Sequence, residues 1–205
     1  MSWPLGPYRV RSNVQGLRDH LKEDVLGGAQ SLLGCSLVWG EMSARIVEVE
    51  AYRAFDDPGS HAYRGPTSRN RPMYGPPGHA YVYFNYGVHW MLNITALEVG
   101  LPAGVLIRAA APVTGLEAMK ARRGADLPRN LLSGPGKLCQ AFGIDGRQND
   151  LDLLDPNSGL HIEPGEPPSH VVSSRRVGLA AGKGDELPWR FLAGDASEWW
   201  SKRPF

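Results

Sequence analysis

"HAYVYFNYGVHWMLNIT", His79 to Thr95, decides how this chain is read. β-Branched and aromatic residues fill both halves, and Asn85-Tyr86-Gly87 separates them, the pattern of a β-hairpin. The turn holds an oddity. Hairpin tips take Gly, Asn, Asp or Ser, which tolerate positive φ or bond their own backbone. Here a large aromatic side chain, Tyr86, stands where water is its only neighbour. What an exposed tyrosine does at such a tip is the question the stretch raises.

Working outward from the hairpin, "AGVLIRAAAP" (Ala103–Pro112) is apolar enough to be a central strand. Upstream, "CSLVWG" and "ARIVEVEAY" read as strands joined by the short turn Gly40-Glu41-Met42-Ser43. Residues Leu17 to Leu33 carry apolar positions at helical spacing, and Gly27-Gly28 is expected to split them into two helices. "TGLEAMKARRG" predicts a helix with Thr114 as N-cap, ending at Gly124. "SGPGKLCQAFGI" reads as a glycine-rich turn feeding a short helix, and "PWRFLAG" as a last strand. Arg53 to Pro77 reads as a long ordered loop, a kind that inside a compact domain is usually functional or else disordered. Asp155 to Ser169 reads as a second Pro/Gly-rich connection. Helices and strands do not alternate as a parallel sheet requires. The expected fold is α+β: one domain over 1–205, with a curved, mainly antiparallel sheet, flanking helices and a protruding hairpin. Residues 1–12 and 196–205 are expected at its periphery.

Composition narrows the class. At 205 residues the chain can bury a core unaided. Its 25 Gly and 17 Pro favour short elements with specific turns over a long-helix bundle. Two distant cysteines, Cys35 and Cys139, read as buried thiols in a reducing compartment. No apolar run reaches the roughly 18 residues of a membrane span. "MSWPLGPYRVRSN" lacks the basic-then-apolar order of a secretion signal. An intracellular protein away from membranes is the expectation. The net charge of +1 divides unevenly: Pro58–Arg147 holds ten Lys/Arg against four Asp/Glu, a net +6, and the remainder, with 12 against 17, nets −5. A basic middle suits a polyanion partner, and chance clustering on a solvated surface gives the same count.

On "RIVEVEAY", strict alternation puts Ile46, Glu48, Glu50 and Tyr52 on one face and Val47, Val49 and Ala51 on the other. The valine face fits a core. The carboxylate face is either a solvated strand surface or a pocket wall with a general base. His61, His79 and His89 match none of the common zinc spacings. A phosphate-binding loop, Gly-x-Ser-x-Gly, a dinucleotide fingerprint and the zinc-deaminase signature are all missing. What remains is a strand carboxylate, a basic loop and a hairpin crowded with Tyr81, Tyr83, Phe84, Tyr86 and Trp90. Aromatics among arginines suit base stacking with phosphate contact. A hairpin-tip aromatic suits the gap left by a nucleotide swung out of a duplex.

At this point the sequence resembles the alkyladenine (3-methyladenine or methylpurine) DNA glycosylase family. The motifs that carry the likeness are "RIVEVEAY", "HAYRGPTSRNRPMY", "GHAYVYFNYG", "MLNIT", "GVLIRA", "SGPGKLCQAFGI" and "RRVG", in family order and spacing. The resemblance implies a monofunctional glycosylase that uses water, needs no metal or cofactor and leaves an abasic site. It implies double-stranded DNA with a damaged purine as partner, action as a monomer, and a DNA-associated place in the cell. By motif position Glu50 activates the water and Arg108 holds water and carboxylate. Tyr52 stacks on one face of the flipped base, with His61 and Tyr83 on the other, and Asn93 meets the purine edge. Tyr86 intercalates, and Thr67, Arg69 and Lys137 lie against the DNA backbone.

Three features depart from the family pattern. Val88 takes a pocket-side place where mammalian members carry methionine, Asn85 is polar where an apolar residue is usual, and the tail "EWWSKRPF" is unlike the family's ending. Two other readings stand beside this one: a DNA-binding module on the same fold without chemistry, and a helix-hairpin-helix architecture around "SGPGKL".

Overall fold

The computed structural model describes residues 13–204; the expectation for residues 1–12 lies outside them. Eight strands form one antiparallel sheet: β1 (Ser36–Trp39), β2 (Met42–Arg53), β3 (Ala80–Asn85), β4 (His89–Ala96), β5 (Ala103–Thr114), β6 (His161–Glu163), β7 (Val171–Ser174) and β8 (Arg190–Ala193). The order is β3-β4-β5-β2-β1-β6, with β8 pairing β2 and β7. The fold is therefore α+β, and β5 is central, as its composition predicts. β6 falls inside the stretch expected to be a plain connection. Only three residues long, it is paired to β1 through Leu37–Ile162, a contact no local pattern announces.

β2 organises the sheet. One edge runs along β5, and the other pairs first with β1 through residues 42–45 and then with β8 through Glu48–Glu50. The register against β5 shifts on both sides of Glu48, where the strand bulges. A bulge inserts one residue and breaks strict alternation. Ile46 therefore joins Val49 and Ala51 in the main core, while Val47 packs with Ala109 and Ala193 in a separate small cluster. The expected grouping of Ile46 with the two glutamates is thus corrected.

Five helices flank the sheet: α1 (Val14–Glu23), α2 (Val25–Ser31), α3 (Leu116–Arg123), α4 (Pro128–Leu131) and α5 (Pro135–Phe142). Leu17 and Leu21 of α1 and Leu138 and Phe142 of α5 bury against Ile46, Val49 and Ile107 in one core. The break between α1 and α2 falls at Asp24 and not at the glycines. Its extended backbone ends one helix, and its carboxylate accepts from the Leu26 and Gly27 amides to start the next. Gly28 serves close approach: a Cβ there would come within 2.9 Å of the Leu21 Cα. Thr114 is not the cap of α3. It ends β5 and its hydroxyl donates to the Glu41 carbonyl, leaving Gly115 at the cap. The predicted stop at Gly124 is left-handed, as a terminating glycine should be. With a four-residue α4 ahead of "SGPGKL" and a sheet dominating the fold, the helix-hairpin-helix reading is excluded.

In the β3–β4 hairpin, Ala80 to Asn85 pair with Ile94 to His89. Tyr86 (φ 50°) and Gly87 (φ 68°) both have positive φ, and the Val88 amide donates to the Asn85 carbonyl. These φ signs belong to a type I′ turn, which matches the strand twist but penalises side chains other than Asn, Asp or Gly. Tyr86 is 91% exposed, so nothing within the chain repays that strain. Tyr86→Asn should therefore raise unfolding stability by about 1 kcal/mol, measured by urea denaturation. A loss of stability would show that the tyrosine is held by packing after all.

In the C-terminal stretch only Ala196 is buried among the described residues, yet the stretch is tied to the sheet. Ser201 hydrogen-bonds the buried Glu48 carboxylate, and the Trp200 indole donates to the Ala193 carbonyl at 2.9 Å.

Candidate active site

Strands β2, β3, β4 and β5, the loop 53–77 and the segment 177–179 surround a cavity of about 210 Å³. That is below the ~300–1,000 Å³ of drug-sized sites and suits a single planar base. Tyr52, His61, Tyr83, Asn93 and Arg108, named from the sequence, all line it, and Asn85 and Tyr86 reach its rim. Val88 does not. It sits in the turn, 63% exposed and away from the cavity, because the three-residue loop turns it outward.

Glu50 is fully buried just behind this lining. Three donors converge on it: the Val177 amide on Oε1 (2.6 Å), and the Tyr52 hydroxyl (2.8 Å) and Arg108 Nη1 (3.2 Å) on Oε2. A carboxylate offers about four lone-pair sites, so one stays open. Arg108, 7% exposed, also donates from Nε to Glu48 (2.8 Å). Glu48 in turn accepts from Arg190 Nε at 2.8 Å. The solvated-strand reading of "RIVEVEAY" is overturned, since both glutamates are inside. Burial alone would push the Glu48 carboxyl up. The Arg108 and Arg190 guanidiniums and the Ser201 donors outweigh it and hold the group below the usual carboxylate value.

The tyrosines are neutral fixtures. Burial, then the Glu50 charge, raises the Tyr52 phenol well above its ordinary value, and burial pushes Tyr83 up to about 12. Tyr52 is clamped from behind by Arg176, whose guanidinium lies 4.6 Å over its ring and pairs with buried Asp57 at 2.6 and 2.7 Å. His61 packs edge-on to Tyr83, centroids 4.5 Å apart, and its Nδ1 meets the Tyr81 hydroxyl at 2.9 Å. Burial of this ring, with the Arg69 charge nearby, depresses its pKa below the ordinary histidine value. A depressed native pKa gives stability that is present above the unfolded value, about 6.5, and lost as pH falls through the native one. His61→Phe should therefore flatten the loss of stability on mild acidification. Unchanged pH dependence in a melting series would contradict this.

Asn93 donates from its amide to the Tyr81 carbonyl at 3.0 Å, which turns its Oδ1 away from that strand and fixes the side chain at the cavity wall. Of the backbone-contact candidates, Arg69 donates to the Phe84 carbonyl (3.1 Å) and lies 5.0 Å over Tyr83, tying the loop to the hairpin. Thr67 exchanges bonds with Asn70, and Lys137 donates to Ser133 at the start of α5. Sequence reasoning passed over Asn70, 1% exposed, which bonds the His61 and Gly65 carbonyls and shapes the loop. It also passed over Asp57 and Arg176, although the quoted "RRVG" carried the signal for Arg176.

The site is thus a buried carboxylate braced by a guanidinium, beside a cavity walled with aromatic rings. The sequence model of the methylpurine-DNA glycosylase (MPG) family matches residues 19–197. A protein of Nitrosospira multiformis named "Putative 3-methyladenine DNA glycosylase" is 44% identical over 86% of this chain and 88% of its own length. Proteins of the same name from Rhodopseudomonas palustris and Carboxydothermus hydrogenoformans are 47% and 46% identical. They cover 80% and 85% of this chain, and 79% and 92% of their own lengths. The chain belongs to the methylpurine-DNA glycosylase family, DNA-repair enzymes of base excision. No helix among the described residues is long and apolar enough to cross a membrane.

Proposed function

We propose that this chain flips alkylated or deaminated purines out of duplex DNA and hydrolyses the N-glycosidic bond with an activated water. It leaves an abasic site and cuts no strand. The observation that carries this is Glu50: fully buried, held by three donors, and set behind the wall of a base-sized cavity. Departure of the base builds positive charge on the sugar. A fixed carboxylate stabilises that charge and takes the proton from water as the C1′–O bond forms and the C1′–N bond breaks.

The walls fit the leaving group. Arg176 occupies the rear of the Tyr52 ring, so the cavity side of that ring is free for one face of the base, and His61 with Tyr83 takes the other. A methylated purine is cationic, and stacking on neutral tyrosine faces favours it by roughly 0.5–2 kcal/mol. Asn93 meets its edge. The tyrosines have raised pKa values, and a neutral histidine adds no ready proton donor. Bases that already carry positive charge are therefore favoured over those that need protonation. Tyr86 fills the vacated stack, worth about 1–3 kcal/mol by analogy with other base–aromatic contacts. Asn85 stands beside it at the rim, and Thr67, Arg69 and Lys137 face the DNA backbone. Double-stranded DNA is the partner, and one copy of the chain suffices.

The test is chromatography of free bases released from dimethyl-sulfate-treated duplex DNA. The reading predicts methylated purines in the supernatant, and their absence at high protein would end it. Tyr86→Asn should weaken binding to lesion duplex about tenfold, the counterpart of its gain in stability. Unchanged binding would remove the tip tyrosine from the account.

A further inference from the structure

The role given to Glu50 and Arg108 leaves the second buried carboxylate, Glu48, and the C-terminal stretch without a task. We propose that Ser201 is a positioning residue for the glycosylase reaction, holding Arg108 through Glu48 in the orientation in which it meets Glu50. This rests on the reading of Glu50 and Arg108 above.

Ser201 touches both members of the pair it positions. Its hydroxyl donates to Glu48 Oε1 at 2.7 Å and accepts from Arg108 Nη2 at 3.3 Å, while its amide donates to Glu48 Oε2 at 2.6 Å. Arg108 Nε donates to the same Glu48 oxygen at 2.8 Å. Two of the three guanidinium nitrogens are therefore fixed from behind, and Nη1 is left for Glu50. A planar fork held at Nε and Nη2 has no freedom to rotate its third nitrogen away. Arg190 closes the arrangement, bonding Glu48 through Nε and the Lys202 carbonyl through Nη2. The tail is seated by Trp199 and Trp200, which pack on Val47, Ala109 and Ala193 behind β2.

Charge explains why the brace matters. Two carboxylates and two guanidiniums share a buried cluster. Glu48 offsets the arginines, so the Glu50 charge stays available to a developing sugar cation. An Arg108 swung off Glu48 would instead bring its positive charge toward that cation, where it raises the barrier. Ser201 does not line the cavity, so it acts on the site through Glu48 and Arg108.

The full-length protein serves for the test, as wild type, Ser201→Ala, Ser201→Thr, Ser201→Cys and Glu50→Gln. Single-turnover base release is measured on alkylated duplex, and affinity on a duplex holding a tetrahydrofuran abasic analogue. Ser201→Ala is expected to slow release about tenfold while affinity stays within about twofold. Ser201→Thr, which keeps the hydroxyl, should recover most of the rate. Where Ser201→Ala does not fold, Ser201→Cys takes its place, filling the volume with a weak donor and running several-fold slow. Wild-type release by Ser201→Ala alongside an inactive Glu50→Gln overturns the role of Ser201 alone. Wild-type release by Glu50→Gln overturns the site reading beneath it. Parallel loss of rate and affinity, or a Thr variant as slow as Ala, shows general loosening and also overturns the proposal.

Discussion

Glu50→Gln is expected to slow base release from alkylated duplex DNA by about 10²–10⁴-fold, the usual yield of a general base, while lesion binding survives. The substitution keeps volume and shape but removes the charge and the proton-accepting capacity. It also disturbs the local bonds in a defined way. The carboxylate faces donors on both oxygens, from Val177 on one side and Tyr52 with Arg108 on the other. An amide NH₂ must turn toward one of these, leaving a donor without an acceptor at about 1–3 kcal/mol. A modest fall in melting temperature should therefore accompany the loss of rate. Single-turnover assays beside binding isotherms separate the two effects, and wild-type turnover would remove Glu50 from the reaction.

Asp57→Ala should produce the largest loss of stability. Asp57 is fully buried and accepts two bonds from Arg176 and one each from the Arg53 and Gly59 amides. Its removal strands a buried guanidinium, which costs about 3–5 kcal/mol and for this chain length lowers Tm by roughly 6–20 °C. Arg176 also bonds the Ala51 and Gly184 carbonyls and lies over both Tyr52 and Trp189. Its release loosens the ring on which the base is proposed to stack, so base release should slow even below the new Tm. A shift of less than about 1 kcal/mol in urea denaturation would show that this pair is not the brace described.

The hairpin and the central strand were legible because their information is local. Alternating β-formers around Asn85-Tyr86-Gly87 leave little choice, and the tip tyrosine is exposed as its position requires. The cavity wall was legible through motif positions, since Tyr52, His61, Tyr83, Asn93 and Arg108 do converge. What the sequence hid depends on distant partners. The bulge on β2 lies in its pairing with β5, a strand distant in sequence, and it moves Ile46 to the other face from Glu48. Ser201 lies 153 residues from Glu48, and nothing in "EWWSKRPF" marks a serine that buries its hydroxyl on a charge. The resemblance assigned Val88 to the pocket side, but Asn85 pairs with His89, so Val88 falls in the turn and off the cavity wall.

Tyr86 joins the local and the distant accounts. Tyr86 strains its own backbone and is 91% exposed at a tip where asparagine fits better. That pattern belongs to a side chain whose partner arrives from outside, and a duplex with a base removed from its stack is such a partner.

Hydrolysis of the N-glycosidic bond without strand scission would leave an abasic site in an intact backbone. An end-labelled duplex with one alkylated purine, incubated with the protein and run on a denaturing gel with and without alkali, tests it most directly. Intact strands before alkali, a single break at the lesion after it, and no break from Glu50→Gln are expected. A break before alkali, or an alkali-stable strand at full protein excess, would contradict it.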